Sequence, residues 1–289
     1  MYDAFILNPI AGAGRAVRVM EQLEGLMKER NLPCRVFRTE YPAHATELAR
    51  ELSQKEEVSA VISVGGDGTA FEVASGLAGT GKPMGIIPAG TGNDFIKTAG
   101  IPREPDRAME TILQRNTASV DMGTLNDGSF LNVCGTGFDV TVLDYTEKFK
   151  TRFHGLLPYL LGLINAIFHY RPVHVRLRVD GVWEESDVLV CSVANGRFIG
   201  GGIPICPVAE ITDGKLDLVT VRNVPRRRIP LYLPGLLMGK ILGFRIASHR
   251  LADEVIMEGK ALRVNVDGEI FSMDRVRFSI QPGVLTLLK

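Results

Sequence analysis

The chain has almost no net charge, no cysteines at metal-type spacing, no low-complexity linker, no internal repeat and no long apolar run. With 33 basic and 33 acidic residues its formal charge is +0, so the overall balance argues against nucleic acid as a partner and any electrostatic role must be local. Cys34, Cys134, Cys191 and Cys206 are widely separated, without a CxxC pair. That pattern fits reduced thiols in a cytosolic protein and argues against a disulfide framework or a zinc site. The opening "MYDAFILNPI" lacks a basic segment followed by a long apolar core, so it is expected to be a first strand and not a signal peptide. The 289 residues suffice for a sizeable core divided between two domains.

What is present is glycine at bends. In "VISVGGDGTAFEVASGL" a short β-branched run reaches Gly65, and Phe71, Val73, Ala74, Leu77 and Ala78 then fall at helical spacing. Gly65, Gly66, Asp67, Gly68 and Thr69 are therefore predicted to form a strand-to-helix turn. Such a turn aims backbone N–H groups at one point, and glycine lets a ligand approach that backbone closely, which suits phosphate. An acid there would repel the ligand unless Mg²⁺ lies between them or a hydroxyl nearby must lose a proton, and either points to phosphoryl transfer. The bland alternative is a tight turn in which Asp67 and Thr69 only cap the helix.

Strands and helices alternate through the first half: "AFILN", the loop "NPIAGAG", a helix, "CRVFRT", a second helix, the "GGDGT" unit, then "KPMGIIPAGTGNDF". This alternation predicts right-handed crossovers and a doubly wound parallel sheet over residues 1–120. The three loops would converge beyond the carboxyl ends of its strands, where such sheets bind ligands. From residue 121 to 289 the texture changes to alternating segments ending in Asn, Asp or Gly, such as "HVRLRVDG", "DVLVCSVANG" and "RVRFSIQPG". These predict a β-rich, sandwich-like second domain with a helical excursion between Asp139 and Tyr170. The last strands could return to the first domain.

"NPIAGAG", "GGDGTAFEVASGL", "PAGTGNDF", "DGKLDL" beginning at Asp213 and "VNVDGE" ending at Glu269 stand in the order seen in the diacylglycerol kinase catalytic-domain family. The chain resembles that family, and particularly its soluble bacterial lipid kinases, over essentially its whole length. The resemblance implies a nucleotide-binding α/β domain and a β-rich domain, with ATP and a lipid hydroxyl meeting in a cleft. It places Asn8 and the Gly12 to Gly14 loop against nucleotide, with Thr39, Gly65, Gly66, Asp67, Gly68, Thr69, Glu72 and Thr91 around it. Phe71 departs from the family, where Asn commonly precedes the Glu matching Glu72.

The resemblance also makes Glu269 the proton acceptor, with Asp267 beside it and Asp67 as the third catalytic carboxylate. The plain alternative for "VDGE" is a hairpin turn. A structural Mg²⁺ is implied at Asp213, with backbone carbonyls of Glu210 and Lys215, and a second Mg²⁺ would accompany ATP.

"VPRRRIPLYLPGLLMGKILGF" joins three arginines to an apolar stretch, as segments that grip anionic headgroups do. "HGLLPYLLGLINAIFHYRP" is too short and too Pro-interrupted to span the roughly 20 residues a membrane requires, and is expected to pack on the β-rich domain. The expectation is a cytoplasmic kinase peripheral to the inner face of the membrane, with a lipid substrate and, through an exposed strand edge, a homodimer. The rivals are a NAD kinase-like enzyme, which shares a GGDGT turn, and a non-catalytic lipid-binding protein on the kinase fold.

Overall fold

A computed structural model describes residues 1–150, 152–153 and 157–289. The chain forms two compact units: Met1–Met122 with Ile211–Gly214 and Gln281–Lys289, and Gly123–Glu210 with Lys215–Ile280.

In the first unit the order is β1 (Tyr2–Leu7), α1 (Arg15–Glu29), β2 (Cys34–Arg38), α2 (His44–Ser53), β3 (Val58–Gly65), α3 (Asp67–Leu77), β4 (Pro83–Pro88), α4 (Asp94–Ala99), α5 (Pro105–Leu113) and β5 (Thr117–Leu125), whose last residues enter the second unit. Every residue of β1 is buried, and β3 is buried but for Ser59. Strands covered on both faces read as continuous apolar runs, not as alternations. Helix α1 buries Ala16, Val19, Met20, Leu23 and Met27, a three-and-four spacing that lays one stripe on the sheet. The strands β2, β1, β3 and β4 lie side by side, all parallel, and the C-terminal end of the last strand adds beside β4 through Thr286 and Leu287. From β1 the chain crosses to β2 on one side and then to β3 on the other. The order therefore reverses between β1 and β3, and the loops after these two strands flank the crevice that such a reversal opens.

The second unit holds β6 (Gly128–Phe130), β7 (Val133–Gly137), α6 (Phe138–Lys150), α7 (Leu157–His169), β8 (Val173–Val179), β9 (Val182–Ala194), β10 (Phe198–Ile199), β11 (Ile203–Pro204), β12 (Leu216–Arg222), α8 (Ile229–Leu237), β13 (Ala247–Ala252), β14 (Glu254–Val266) and the first part of β15 (Glu269–Leu288). The long strands β9 and β14 each pair with β8 along one half and with β7 along the other. Their shared interior holds Phe130, Val175, Leu177, Val193, Met257 and Phe278, giving the sandwich-like architecture its core. A second apolar cluster around Phe138, Tyr170, Val190 and Ile229 takes the helices.

The first apolar helical segment packs along one face, with Ala166 buried and Leu163 and Ile167 set against the apolar cluster around Phe138 and Tyr170. Residues 154–156 of it lie outside the described residues. Helix α7 buries Ala166 but exposes Leu157, Leu160, Ile164 and Phe168, the last at 68%. These four recur every three or four residues and so form one outward stripe. No helix among the described residues is long and apolar enough to cross a membrane.

Candidate functional site

The bend after β3 is open where a helix usually carries a cap. Gly66 occupies the N-cap of α3 and has no side chain to accept from the first-turn amides, which are left pointing out of the helix end. Around Gly68 there is nothing within 4 Å of the place a Cβ would take.

Glycine is required where the three loops touch by their backbones. A Cβ on Gly12 would fall 2.1 Å from the Ala89 carbonyl oxygen, and one on Gly90 would fall 2.4 Å from Gly66 Cα. Gly12, Ala13 and Gly14 run through left-handed backbone in succession, with φ of 58°, 55° and 83°. This sharp curl lets the loop after β1 lie against the loop after β4. The amides of Ala89 and Gly90 both donate to the Gly65 carbonyl, which fastens the third loop to the second.

Polar side chains complete the joints. Asn8 Nδ2 donates to Thr69 Oγ1 at 3.1 Å, while Asn8 Oδ1 accepts from the Ile10 amide. Asp67 Oδ1 accepts from the Phe95 amide at 3.0 Å, tying α3 to the start of α4. Burial pushes the Asp67 carboxyl above its usual range, the amide bond from Phe95 opposes this, and the charge of Asp94 adds to it. Asp94 is paired with Lys97 at 2.7 Å, and Lys97 also donates to the Gly92 carbonyl. The sequence reading missed this pair, for which the Asp of "PAGTGND" and a Lys three residues later were the available signal. Thr39 follows β2, its amide donating to the Leu7 carbonyl, and Thr91 is exposed in the loop before α4.

Two assigned side chains are taken by the scaffold. The carboxylate of Glu72, expected at the nucleotide, instead accepts from the amides of Ala43 and Ala45 at the start of α2. It supplies the cap that α2 itself lacks. Asp267, expected as a catalytic partner, accepts from three backbone amides: Leu131 at 2.7 Å, Asn132 at 2.9 Å and Val133 at 3.0 Å. A carboxylate so held fixes a turn. The turn is the two-residue hairpin between β14 and β15, with Asp267 and Gly268 both at positive φ. Asn265 Oδ1 accepts from the Gly268 amide. Glu269 then opens β15 as the exposed carboxylate of the pair. Beside this hairpin Asn265 Nδ2 lies 3.4 Å from Asp139, whose carboxyl is pushed up by burial. The sequence reading did not single out Asp139.

Asp213 is exposed in the loop 211–214, which belongs to the first unit. Asp121 pins that loop through the Gly214 amide at 2.7 Å and holds the Gly283 amide with its other oxygen. Lys215 Nζ is turned to Asp253. A carboxylate and backbone carbonyls make an oxygen-only donor set, which fits a hydrated Mg²⁺.

An open helix N-terminus thus stands at a strand-order reversal, lined by backbone and by the Asp67 carboxylate, as in doubly wound α/β units. Residues 4–125 match the family model for the diacylglycerol kinase catalytic domain, and residues 132–289 match the YegS C-terminal NAD kinase beta sandwich-like domain. The chain is 30% identical over 291 residues to a diacylglycerol kinase of Mycobacterium tuberculosis (strain ATCC 25618 / H37Rv), covering 98% of this chain and 94% of that one. It is 34% identical over 231 residues to a Pseudomonas putida protein assigned as a YegS-like lipid kinase, covering 79% and 76%. A crystal structure from Bacillus anthracis, assigned as a diacylglycerol kinase, superposes with a TM-score of 0.82 at 26% identity, covering 99% and 94%. The chain belongs to the diacylglycerol kinase catalytic-domain family of lipid kinases. Membership of that kinase family makes it a phosphotransferase.

Proposed function

We propose that the protein transfers the γ-phosphate of ATP to the hydroxyl of a diacylglycerol-like lipid at a membrane surface. The observation that carries this reading is the uncapped start of α3, where glycine backbone and Asp67 meet at the strand-order reversal. The amides of Asp67, Gly68 and Thr69 would hold phosphate, with the loop of Gly12 and Gly14, Thr39 and Thr91 around the nucleotide. Asn8 keeps Thr69 and the first loop in register. Mg²⁺ carried with ATP supplies neutralisation of phosphate charge, and a second Mg²⁺ at Asp213 with carbonyls of Glu210 and Lys215 would stiffen its loop.

Glu269 is proposed as the proton acceptor. The lipid O–H bond breaks and its proton passes to the Glu269 carboxylate. The oxygen bonds to the γ-phosphorus, and the bond from that phosphorus to the β-γ bridging oxygen breaks, releasing ADP. An alcohol is far less acidic than a carboxylic acid, so the proton is accepted late, as transfer proceeds.

The lipid reading has support within the second unit. Beneath α8 a small apolar cleft is lined by Phe138, Leu189, Ile205, Ile229, Leu233 and Leu236. Arg226 Nη1 donates to the Phe168 carbonyl at the end of α7, so Arg226 to Arg228 adjoin the exposed stripe of that helix. Leu231, Leu237 and Met238 are exposed just beyond. Basic groups beside exposed apolar side chains suit peripheral docking on anionic lipid. Strand β13 ends the sheet order in this unit and is the edge proposed for a homodimer.

The description of the C-terminal match keeps a NAD kinase-like reading in view. Purified protein supplied with ATP and either diacylglycerol in mixed micelles or NAD separates the two. Phosphorylated lipid supports the proposal; phosphorylated NAD alone replaces it, and neither product favours a binding protein.

A further inference from the structure

Within the second unit three side chains from separate segments converge. Asp217 lies on β12, His249 on the neighbouring β13, and Cys206 just after β11. One ligand atom from each lies within 4.8 Å of the other two. Because Val219 is opposite His249 in the antiparallel register, Asp217 and His249 sit diagonally across the two strands, on one face. His249 Nε2 and Asp217 Oδ1 are 2.6 Å apart. Cys206 and Asp217 are buried, whereas His249 is part-exposed.

We infer that Cys206, Asp217 and His249 form a binding site for a single divalent transition-metal ion, with Zn²⁺ as the best match. One thiolate, one carboxylate and one neutral imidazole give an S, O and N donor set suited to this borderline ion. The two negative charges cancel its two positive charges, which limits the cost of placing the ion where two of its ligands are buried. The exposed edge of His249 gives a route in and leaves the fourth tetrahedral position for water.

Little movement is needed. Bonds of about 2.0–2.1 Å at a tetrahedral angle put ligand oxygen and nitrogen about 3.4 Å apart, so Asp217 and His249 separate slightly as the thiolate draws in. The Cys206 thiol loses its proton to solvent on binding. Without metal that thiol is pushed up to about 12, by burial first and then by the charge of Asp217, so metal affinity falls as pH drops. Ile205, next to Cys206, lines the apolar pocket beneath α8. The ion would therefore pin a wall of that pocket to β12 and β13. Cysteine spacing could not reveal the site, because its ligands lie on three separated segments.

The test uses the full chain, stripped with a chelator and titrated with Co²⁺ as a coloured stand-in for Zn²⁺. The expected result is one Co²⁺ per chain with a thiolate-to-metal charge-transfer band, abolished by Zn²⁺. Cys206→Ser should remove that band, and His249→Gln should weaken binding by at least about 10-fold, with circular dichroism confirming that both variants fold. Absence of the band in the wild type overturns the inference, whatever the variants do. A band that survives in Cys206→Ser, or equal affinity in His249→Gln, also overturns it, and none of these readouts depends on kinase activity.

Discussion

The side chain of Asn8, one residue past β1, donates from Nδ2 to Thr69 Oγ1 in the first turn of α3, across 61 positions of chain and 3.1 Å of space. Thr69 is only 4% exposed, so this bond joins the two loops that flank the strand-order reversal. Asn8→Ala should loosen that joint without removing a phosphate-facing amide. The expected outcome is a KM for ATP raised several-fold, with turnover reduced less and stability lowered by about 1 kcal/mol, as for a lost hydrogen bond. Steady-state kinetics with urea unfolding checks it. Unchanged kinetics would mean the loops hold their positions without this bond.

Two glycines make a sharper pair. Gly90→Ala forces a Cβ within 2.4 Å of Gly66 Cα and should destabilise the fold by about 1–3 kcal/mol, as overpacking does. Gly68→Ala meets nothing within 4 Å, so it should leave stability nearly unchanged while weakening ATP binding, because the new methyl occupies the approach to the open amides. Equal effects of the two on thermal unfolding would contradict the assignment of that space to phosphate.

Asp67 links chemistry to stability. Its folded carboxyl is shifted upward by burial, so the native state holds its proton more tightly than the unfolded chain does. Stability from this group is present at low pH and is lost as pH rises from the unfolded value through the folded one. Asp67→Asn keeps an acceptor for the Phe95 amide and cannot ionise. Its melting temperature relative to wild type should therefore climb as pH rises above the ordinary carboxylate range, while turnover is abolished. A difference that stays flat with pH would remove burial as the cause.

These cases indicate what was legible in the chain. The turn from Gly65 to Thr69 was readable because strand, bend and helix are contiguous, and each carries its own period. The returning final strand was only a hint, since the same alternation serves β15 in both units. The bonds of Glu72 and Asp267 were not legible for one physical reason: their partners are backbone amides of distant segments, at Ala43 and Ala45 or Leu131 to Val133. Backbone donors leave no mark on a residue pattern. The outward stripe of α7 was hidden because Leu157, Leu160, Ile164 and Phe168 look the same in sequence whether they face protein or solvent.

Membrane docking is checked by charge reversal at Arg226, Arg227 and Arg228. Each near-surface basic residue contributes about 1 kcal/mol of attraction to an anionic membrane, so the triple variant should sediment far less with anionic vesicles. Activity should drop on vesicles more than on detergent-dispersed lipid. Leu160→Ser with Phe168→Ser should weaken vesicle binding even at high salt, where charge is screened. Unchanged sedimentation in both variants would return this face to ordinary solvated surface.

The central claim is that Glu269 takes the proton of a lipid hydroxyl while Asp267 holds the turn. The measurement that tests it most directly is single-turnover transfer of labelled γ-phosphate from ATP to diacylglycerol by wild type, Glu269→Gln and Asp267→Asn, with each variant's thermal stability alongside. The account predicts labelled lipid from wild type, transfer slowed at least about 100-fold in Glu269→Gln at unchanged stability, and a lowered melting temperature in Asp267→Asn. Transfer at the wild-type rate by Glu269→Gln, or no labelled lipid from the wild type, would contradict it.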